Sequence, residues 1–77
     1  MMRVPVVLDT MTQCSEFVSI INESTTTTDK VYLESGDGLI INAKSLMGVL
    51  YGASEFKHLY CVSEKDISGK IVKFIVG

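Results

Sequence analysis

The chain has 77 residues, 47% of them hydrophobic, and a formal net charge of -2 at pH 7. A chain of this length supports one small hydrophobic core, so we expect a single domain over residues 1–77. The hydrophobic fraction excludes a disordered segment, and no apolar run reaches the roughly 20 residues that a membrane span needs. The seven basic and nine acidic residues give no basic field for nucleic acid or an anionic membrane, which favours proteins or small molecules as partners.

The N-terminal segment and the cysteines indicate a cytoplasmic protein. The apolar run before Asp9 is too short for the core of a secretory signal, so we expect no export. Cys14 and Cys61 are far apart and have no companions, which predicts two reduced, buried thiols and neither a metal motif nor a disulfide. The acidic residues are scattered along the chain, so the sequence predicts no metal site and no cofactor.

Three strands are predicted in the first half of the chain. Residues 3–8 are rich in Val and Leu, and Pro5, which has no N–H, places this strand at an edge of the sheet. The polar run 24–29 is poor in helix formers and predicts a connector. The β-rich segments 31–33 and 39–41 predict a hairpin, because the glycines between them allow the positive φ angles of a reversal.

The first predicted helix spans about residues 12–23. Its apolar side chains recur with helical spacing and form one stripe, which consists of Cys14, Phe17, Val18 and Ile21. Thr10 followed by Gln13 has the spelling of a capping box, and Thr12 is the alternative cap.

A strand between two helices is predicted in the second half. After Ser45, a short helix over about 46–53 is indicated by an apolar face of Leu46, Val49, Leu50 and Ala53. Residues 58–62 alternate as a fourth strand should. Residues 63–66 have the spelling of a second capping box, which predicts a final helix with an apolar face of Ile67, Ile71, Phe74 and Ile75. The order βαββαβα predicts an α+β fold, in which a four-stranded, mostly antiparallel sheet carries three helices on one face.

No segment has the residues of a self-contained catalytic site. His58 is the only histidine, and its position in the predicted strand favours an exposed or hydrogen-bonded side chain over a catalytic one. Cys14 belongs to a buried stripe, where a thiol loses nucleophilicity. The glycines at residues 36–38 are not followed by a helix, so they predict a turn and not a phosphate-binding loop. The sequence therefore predicts a protein that is not an enzyme.

Residues 42–50, Asn-Ala-Lys-Ser-Leu-Met-Gly-Val-Leu, resemble the start of the second helix in HPr, the small phosphocarrier of the bacterial sugar phosphotransferase system. The likeness is strongest to the Gram-positive members. The chain length, the βαββαβα order and the pair Phe17-Val18 in the first helix are also similar to that family. The resemblance implies an HPr-like open-faced sandwich and a bacterial cytoplasmic protein connected with sugar transport or its regulation.

Ser45 and its neighbours are the site residues that the resemblance implies. The matching serine of Gram-positive HPr proteins caps the helix and is phosphorylated by a dedicated kinase with ATP. A phosphoryl group at Ser45 would meet the positive end of the helix dipole, with Lys44 alongside. The alternative is an N-cap alone, worth about 1 kcal/mol. The apolar residues after this serine dock partners in the family, which implicates Leu46, Met47 and Leu50 together with Lys44, and the alternative for the three apolar residues is core packing.

The chain departs from the family before the first helix. HPr proteins carry a His-x-Arg-Pro motif there, and its histidine accepts the phosphate. Alignment on Phe17-Val18 places Thr10 at this histidine, Thr12 at the arginine and Gln13 at the proline. A threonine without a base does not replace a phosphoryl-accepting imidazole.

We therefore expect an HPr-like regulatory or protein-binding module that cannot relay phosphate, with regulation through serine phosphorylation at Ser45. One alternative is a phosphocarrier of the sugar phosphotransferase system that uses an unorthodox residue, and another is a purely structural interaction domain. The resemblance implies partners among the phosphotransferase-system enzymes, an HPr kinase or a transcription regulator, and neither nucleic acid nor a membrane. The oligomeric state is not predicted.

Overall fold

A computed structural model describes residues 1–76, which form one four-stranded sheet and two helices. In chain order the elements are β1 (Met2–Val6), α1 (Met11–Ser24), β2 (Val31–Ser35), β3 (Ile40–Asn42), α2 (Leu46–Glu55) and β4 (Leu59–Ser63), followed by a 3-10 turn at Val72–Phe74. The strands lie in the order β1, β4, β2, β3, and every pairing is antiparallel. The predicted α+β class and the four-stranded sheet are confirmed.

The core lies between one face of the sheet and the two helices. Leu33 on β2 is directly opposite Cys61 on β4 and Ile41 on β3, and residues opposite each other in neighbouring strands share a face. The predicted stripe of α1 packs against these side chains, and it consists of Cys14, Phe17, Val18 and Ile21. Within the described part of the chain no helix covers the other face. That open face carries Arg3, whose guanidinium lies 2.9 Å from the Glu34 carboxylate and 4.0 Å above the Tyr60 ring.

Strand β1 lies at an edge of the sheet, as Pro5 predicted. The Pro5 carbonyl accepts a hydrogen bond of 3.0 Å from the N–H of Val76, and Val7 N–H donates to the Phe74 carbonyl at 2.9 Å. The N and the C=O of one strand residue point to the same side, so the missing N–H of Pro5 also faces outward from the sheet. Residues 74–76 therefore lie along the outer side of β1.

The hairpin of β2 and β3 is confirmed. Gly38 has φ of 90°, a conformation that side chains with a Cβ rarely adopt, and it is the one position in the turn that requires glycine. The hydroxyl of Ser35, the last residue of β2, accepts a hydrogen bond of 3.0 Å from the Leu39 N–H. This bond stabilises the turn between β2 and β3.

The predicted third helix is wrong. Between β4 and the 3-10 turn the chain forms turns, although its apolar residues Ile67, Ile71 and Phe74 are buried as the helical pattern required. The Ser63 hydroxyl accepts from the Lys65 N–H at 3.2 Å, which is one residue too early for a capping box.

Three physical effects favour turns over a helix in residues 64–76. The Asp66 carboxylate accepts from the N–H and the hydroxyl of Ser68 at 3.0 and 2.7 Å, and such local side-chain bonds compete with helical hydrogen bonds. Gly69 and the β-branched residues of this segment are weak helix formers. The outer side of β1 also offers hydrogen-bond partners that a helix would leave unpaired.

Helix α2 approaches β3 closely because it presents two glycines to Ile41. A Cβ on Gly48 would lie 3.2 Å from Ile41 Cγ2, and one on Gly52 would lie 2.6 Å from Ile41 Cδ1. Val49 is fully buried on the same side of the helix. The predicted apolar face is therefore correct at Val49 and wrong at Leu46, which is 40% exposed.

We predict that Gly52→Val lowers the free energy of unfolding by about 2 kcal/mol, because the added atoms overpack the contact with Ile41. Urea denaturation followed by circular dichroism measures the loss. Gly69→Val is the matched control, since a Cβ at Gly69 meets nothing within 4 Å, and it should change the free energy by less than about 0.5 kcal/mol. Equal losses in the two variants would show that the close approach of α2 is not a packing constraint.

Candidate functional site

Thr10, the residue aligned with the phosphorylated histidine of HPr proteins, caps helix α1. Its Oγ1 accepts a hydrogen bond of 3.1 Å from the Gln13 N–H, while Gln13 Oε1 accepts from the N–H groups of Asp9 and Thr10 at 2.7 and 3.1 Å. The capping box is confirmed, and the alternative cap at Thr12 is wrong. These bonds satisfy the N–H groups of Asp9, Thr10 and Gln13 within the chain.

His58, the histidine of the chain, belongs to a different element from Thr10. It lies on the surface, just before the first residue of β4, while Thr10 belongs to the cap of α1. The Thr10 hydroxyl already serves as an acceptor in that cap. A hydroxyl needs a neighbouring base before it becomes a nucleophile, and the hydrogen bond of the Thr10 hydroxyl is to the backbone N–H of Gln13.

Ser45 caps helix α2, as predicted. Its Oγ accepts a hydrogen bond of 3.2 Å from the Gly48 N–H, and the residue is half-buried. The Asn22 side chain donates to the carbonyls of Lys44 at 3.2 Å and Val18 at 3.0 Å, which ties the start of α2 to α1. Ser45 thus lies at a fixed helix end, and its phosphorylation stays a prediction.

The Lys44 ammonium is directed to the connector between α1 and β2. It donates to the Thr26 carbonyl at 2.6 Å and also to the Asp29 carbonyl. Its hydrogen bonds therefore go to backbone oxygens of the connector rather than to Ser45. Lys44 acts here as a clamp between two loops, a role that its place in the sequence motif did not predict.

Large apolar side chains are exposed on the outer side of both helices. Met47 is 78% exposed and Met11 is 74% exposed, while Tyr51 and Leu46 are exposed to a smaller degree. Leu46 and Leu50, like Met47 and Tyr51, are four residues apart on α2 and are therefore neighbours on its surface. Leu50, which packs partly against the core, lines one pocket together with Met11. We call these five residues the helix patch.

The helix patch includes three predicted residues and two that sequence reasoning missed. Leu46, Met47 and Leu50 were expected to contact partners or to pack in the core, and the exposure of Leu46 and Met47 rules out core packing for those two. Met11 and Tyr51 were not singled out. The spacing of Met47 and Tyr51 was visible in the sequence, but the contribution of α1 depends on how the helices pack.

Neither thiol is available as a nucleophile. Cys14 and Cys61 are both buried and unpaired, as predicted. Burial disfavours the thiolate, so it raises the pKa of Cys14 above its ordinary value and raises the pKa of Cys61 to about 12. Because the thiolate is the reactive form, the folded protein keeps both sulfurs inert.

We predict that Ellman's reagent labels neither thiol of the native protein at mildly alkaline pH and labels both in denaturing urea. Burial blocks access and the raised pKa values of Cys14 and Cys61 keep the thiols protonated. A Ser15→Cys variant, which adds an exposed thiol on α1, should react with one equivalent in the folded state. Rapid native labelling of Cys14 would contradict the buried position of the α1 stripe.

Other kinds of site are not seen in the described part of the chain. Within residues 1–76, no three His, Cys, Asp or Glu side chains come together in a way that could hold a metal ion. The helices of this part are too short or too polar to cross a membrane.

The chain matches no model of a known protein family, and searches of curated proteins and of solved structures also found no match. The resemblance to HPr proteins therefore stays a prediction that rests on residues 42–50, the pair Phe17-Val18 and the order of the elements. The geometry itself offers an exposed apolar surface at the helix patch and two capped helix ends.

Proposed function

We propose that the chain is an HPr-like protein-binding module that docks a partner protein through the helix patch and does not relay phosphate. The observation that carries the proposal is the exposure of Met47, Tyr51 and Leu46 on α2, together with that of Met11 on α1, which shares a pocket with Leu50. Contiguous exposed apolar side chains in a small soluble domain mark interaction sites, because covering them removes apolar surface from water.

The state of the α1 cap supports the absence of a phosphorelay. The position aligned with the histidine holds Thr10, whose hydroxyl accepts from the Gln13 N–H at 3.1 Å. Gln13 Oε1 accepts from the N–H groups of Asp9 and Thr10, so these two donors are already bonded within the chain. The position therefore has a hydroxyl in place of an imidazole, and the capping bonds use part of the donor set that a phosphate would need.

Phosphorylation of Ser45 is the proposed control of docking. Ser45 directly precedes Leu46 and Met47, so a phosphoryl group there would add about two negative charges at the edge of the helix patch. The proposed partners are those that the resemblance implies: an enzyme of the phosphotransferase system, an HPr kinase or a transcription regulator.

We predict that a photo-crosslinking amino acid at position 47 captures a protein in the cells that make this chain, whereas the same probe at position 37 does not. Position 37 lies in the exposed hairpin turn, away from the helices. The captured protein should also co-purify with the wild-type chain and be lost from Met47→Ser. Val72→Ser is the matched control, since Val72 is an exposed apolar residue outside the helix patch. Equal loss in both variants would contradict docking at the helix patch.

We predict that incubation with phosphoenolpyruvate and the first enzyme of the phosphotransferase system adds no phosphoryl group to the intact mass. A gain of one phosphoryl group would support the phosphocarrier alternative, and separate Thr10→Ala and His58→Ala variants would then locate the acceptor. With ATP and an HPr kinase, mass mapping should place one phosphoryl group on Ser45, with Ser45→Ala as the control. An unmodified Ser45 would favour the purely structural domain.

A further inference from the structure

The helices that carry the helix patch are acidic. Neither α1 nor α2 contains a lysine or an arginine, whereas they contain Glu16, Glu23 and Glu55. Lys73 reaches this layer from the C-terminal segment and forms an ion pair with Glu16, which neutralises that carboxylate. The charges on the helices themselves are therefore negative in a chain that is almost neutral as a whole, while Lys44 and Lys57 flank the two ends of α2.

The N-terminal ends of both helices are capped by side chains of the chain itself. At α1, Gln13 Oε1 accepts from the N–H groups of Asp9 and Thr10. At α2, Ser45 Oγ accepts from the Gly48 N–H. Each cap satisfies part of the positive end of its helix within the chain, which reduces what an acidic partner gains there.

The negative end of α2 adjoins a pocket with carboxylates at its edge. Asp9 and Glu55 line this pocket of about 490 Å³ together with the apolar side chains of Leu8 and Phe56. Its lining also includes Lys57, whose charge opposes the two carboxylates in part. We call it the Asp9–Glu55 pocket.

The Asp9–Glu55 pocket is continuous with the helix patch. Leu8, Asp9, Ala53 and Ser54 line both this pocket and the smaller pocket that Met11 and Leu50 line. A partner that covers the helix patch therefore extends over the two carboxylates and the carbonyl end of α2. Both of these features favour positive charge.

We propose that the partner presents an amphipathic basic surface, whose apolar side chains cover the helix patch while a lysine or arginine lies over the Asp9–Glu55 pocket. This inference rests on the proposed docking function and adds the sign and the orientation of the partner. The apolar contact supplies most of the affinity. The attraction between the partner's cation and the carboxylates of the Asp9–Glu55 pocket determines the orientation in which the partner binds. Lys57 opposes the incoming cation and lowers the affinity.

The test uses two dye-labelled amphipathic helical peptides with identical leucines on one face, one carrying lysines and the other glutamates on the polar face. Fluorescence anisotropy gives their dissociation constants for the full chain. The lysine peptide should bind about tenfold more tightly at low salt, and the difference should shrink as salt screens the charges. Equal affinities, tighter binding of the glutamate peptide, or no binding of the lysine peptide would overturn the inference.

Matched variants locate the charge effect. The preference is the dissociation constant of the glutamate peptide divided by that of the lysine peptide. The double variant Asp9→Asn/Glu55→Gln should bring this ratio close to one, and Lys57→Gln should increase it. The control Asp37→Asn/Glu64→Gln removes the same charge from exposed positions outside the helices and should keep the preference. If the control reduces the preference as much as the double variant, the effect comes from net charge and the Asp9–Glu55 pocket is not the site.

A further variant separates this inference from the proposed function. Met47→Ser should weaken both peptides, because it removes apolar surface without changing charge. If the two peptides bind equally and both depend on Met47, the helix patch still docks partners and only the basic partner is refuted. If binding of the lysine peptide does not depend on Met47, docking at the helix patch is refuted as well.

Discussion

The contact between Ile41 and the glycine side of α2 determines which residues of the helix face solvent. Because Gly48 and Gly52 have no Cβ, the helix backbone comes close to β3, and Val49 beside them is fully buried. Once this side is turned toward the sheet, the side of α2 that carries Met47 and Tyr51 must point outward. The exposed apolar surface thus follows from tight packing on the opposite side of the same helix.

Local signals predicted those parts of the fold whose hydrogen bonds are also local. The Thr10–Gln13 capping box, the Ser45 cap and the turn at Gly38 each depend on residues within four positions of one another. The same capping-box pattern gave a wrong prediction at Ser63, which lies at the end of β4 and is paired with strands on both sides. Residues 74–76 form backbone hydrogen bonds with residues 5–7. A local sequence pattern cannot predict these long-range bonds, which replace those of a helix.

The composition of the candidate site was predictable, but its orientation was not. Helix α2 is apolar around most of its circumference, so a period of 3.6 residues cannot decide whether Leu46 or Gly52 faces the core. The choice depends on how closely the helix approaches Ile41. The hydrogen bonds of Lys44 could not be predicted from the sequence either, because their acceptors at Thr26 and Asp29 lie 18 and 15 residues away in the chain.

The basic residues are distributed in a way that gives the two faces of the molecule different chemistry. On the open face of the sheet, Arg3 satisfies Glu34 by an ion pair and covers the Tyr60 ring, so the charges there are already matched within the chain. On the helix layer, Asp9 and Glu55 lie beside the apolar helix patch with Lys57 as the cation that shares their pocket. The net charge of -2 for the whole chain does not reveal this difference between the two faces. Apolar side chains are exposed on both faces, as Ile40 shows on the open face, but on the helix layer they lie beside the carboxylates of Asp9 and Glu55.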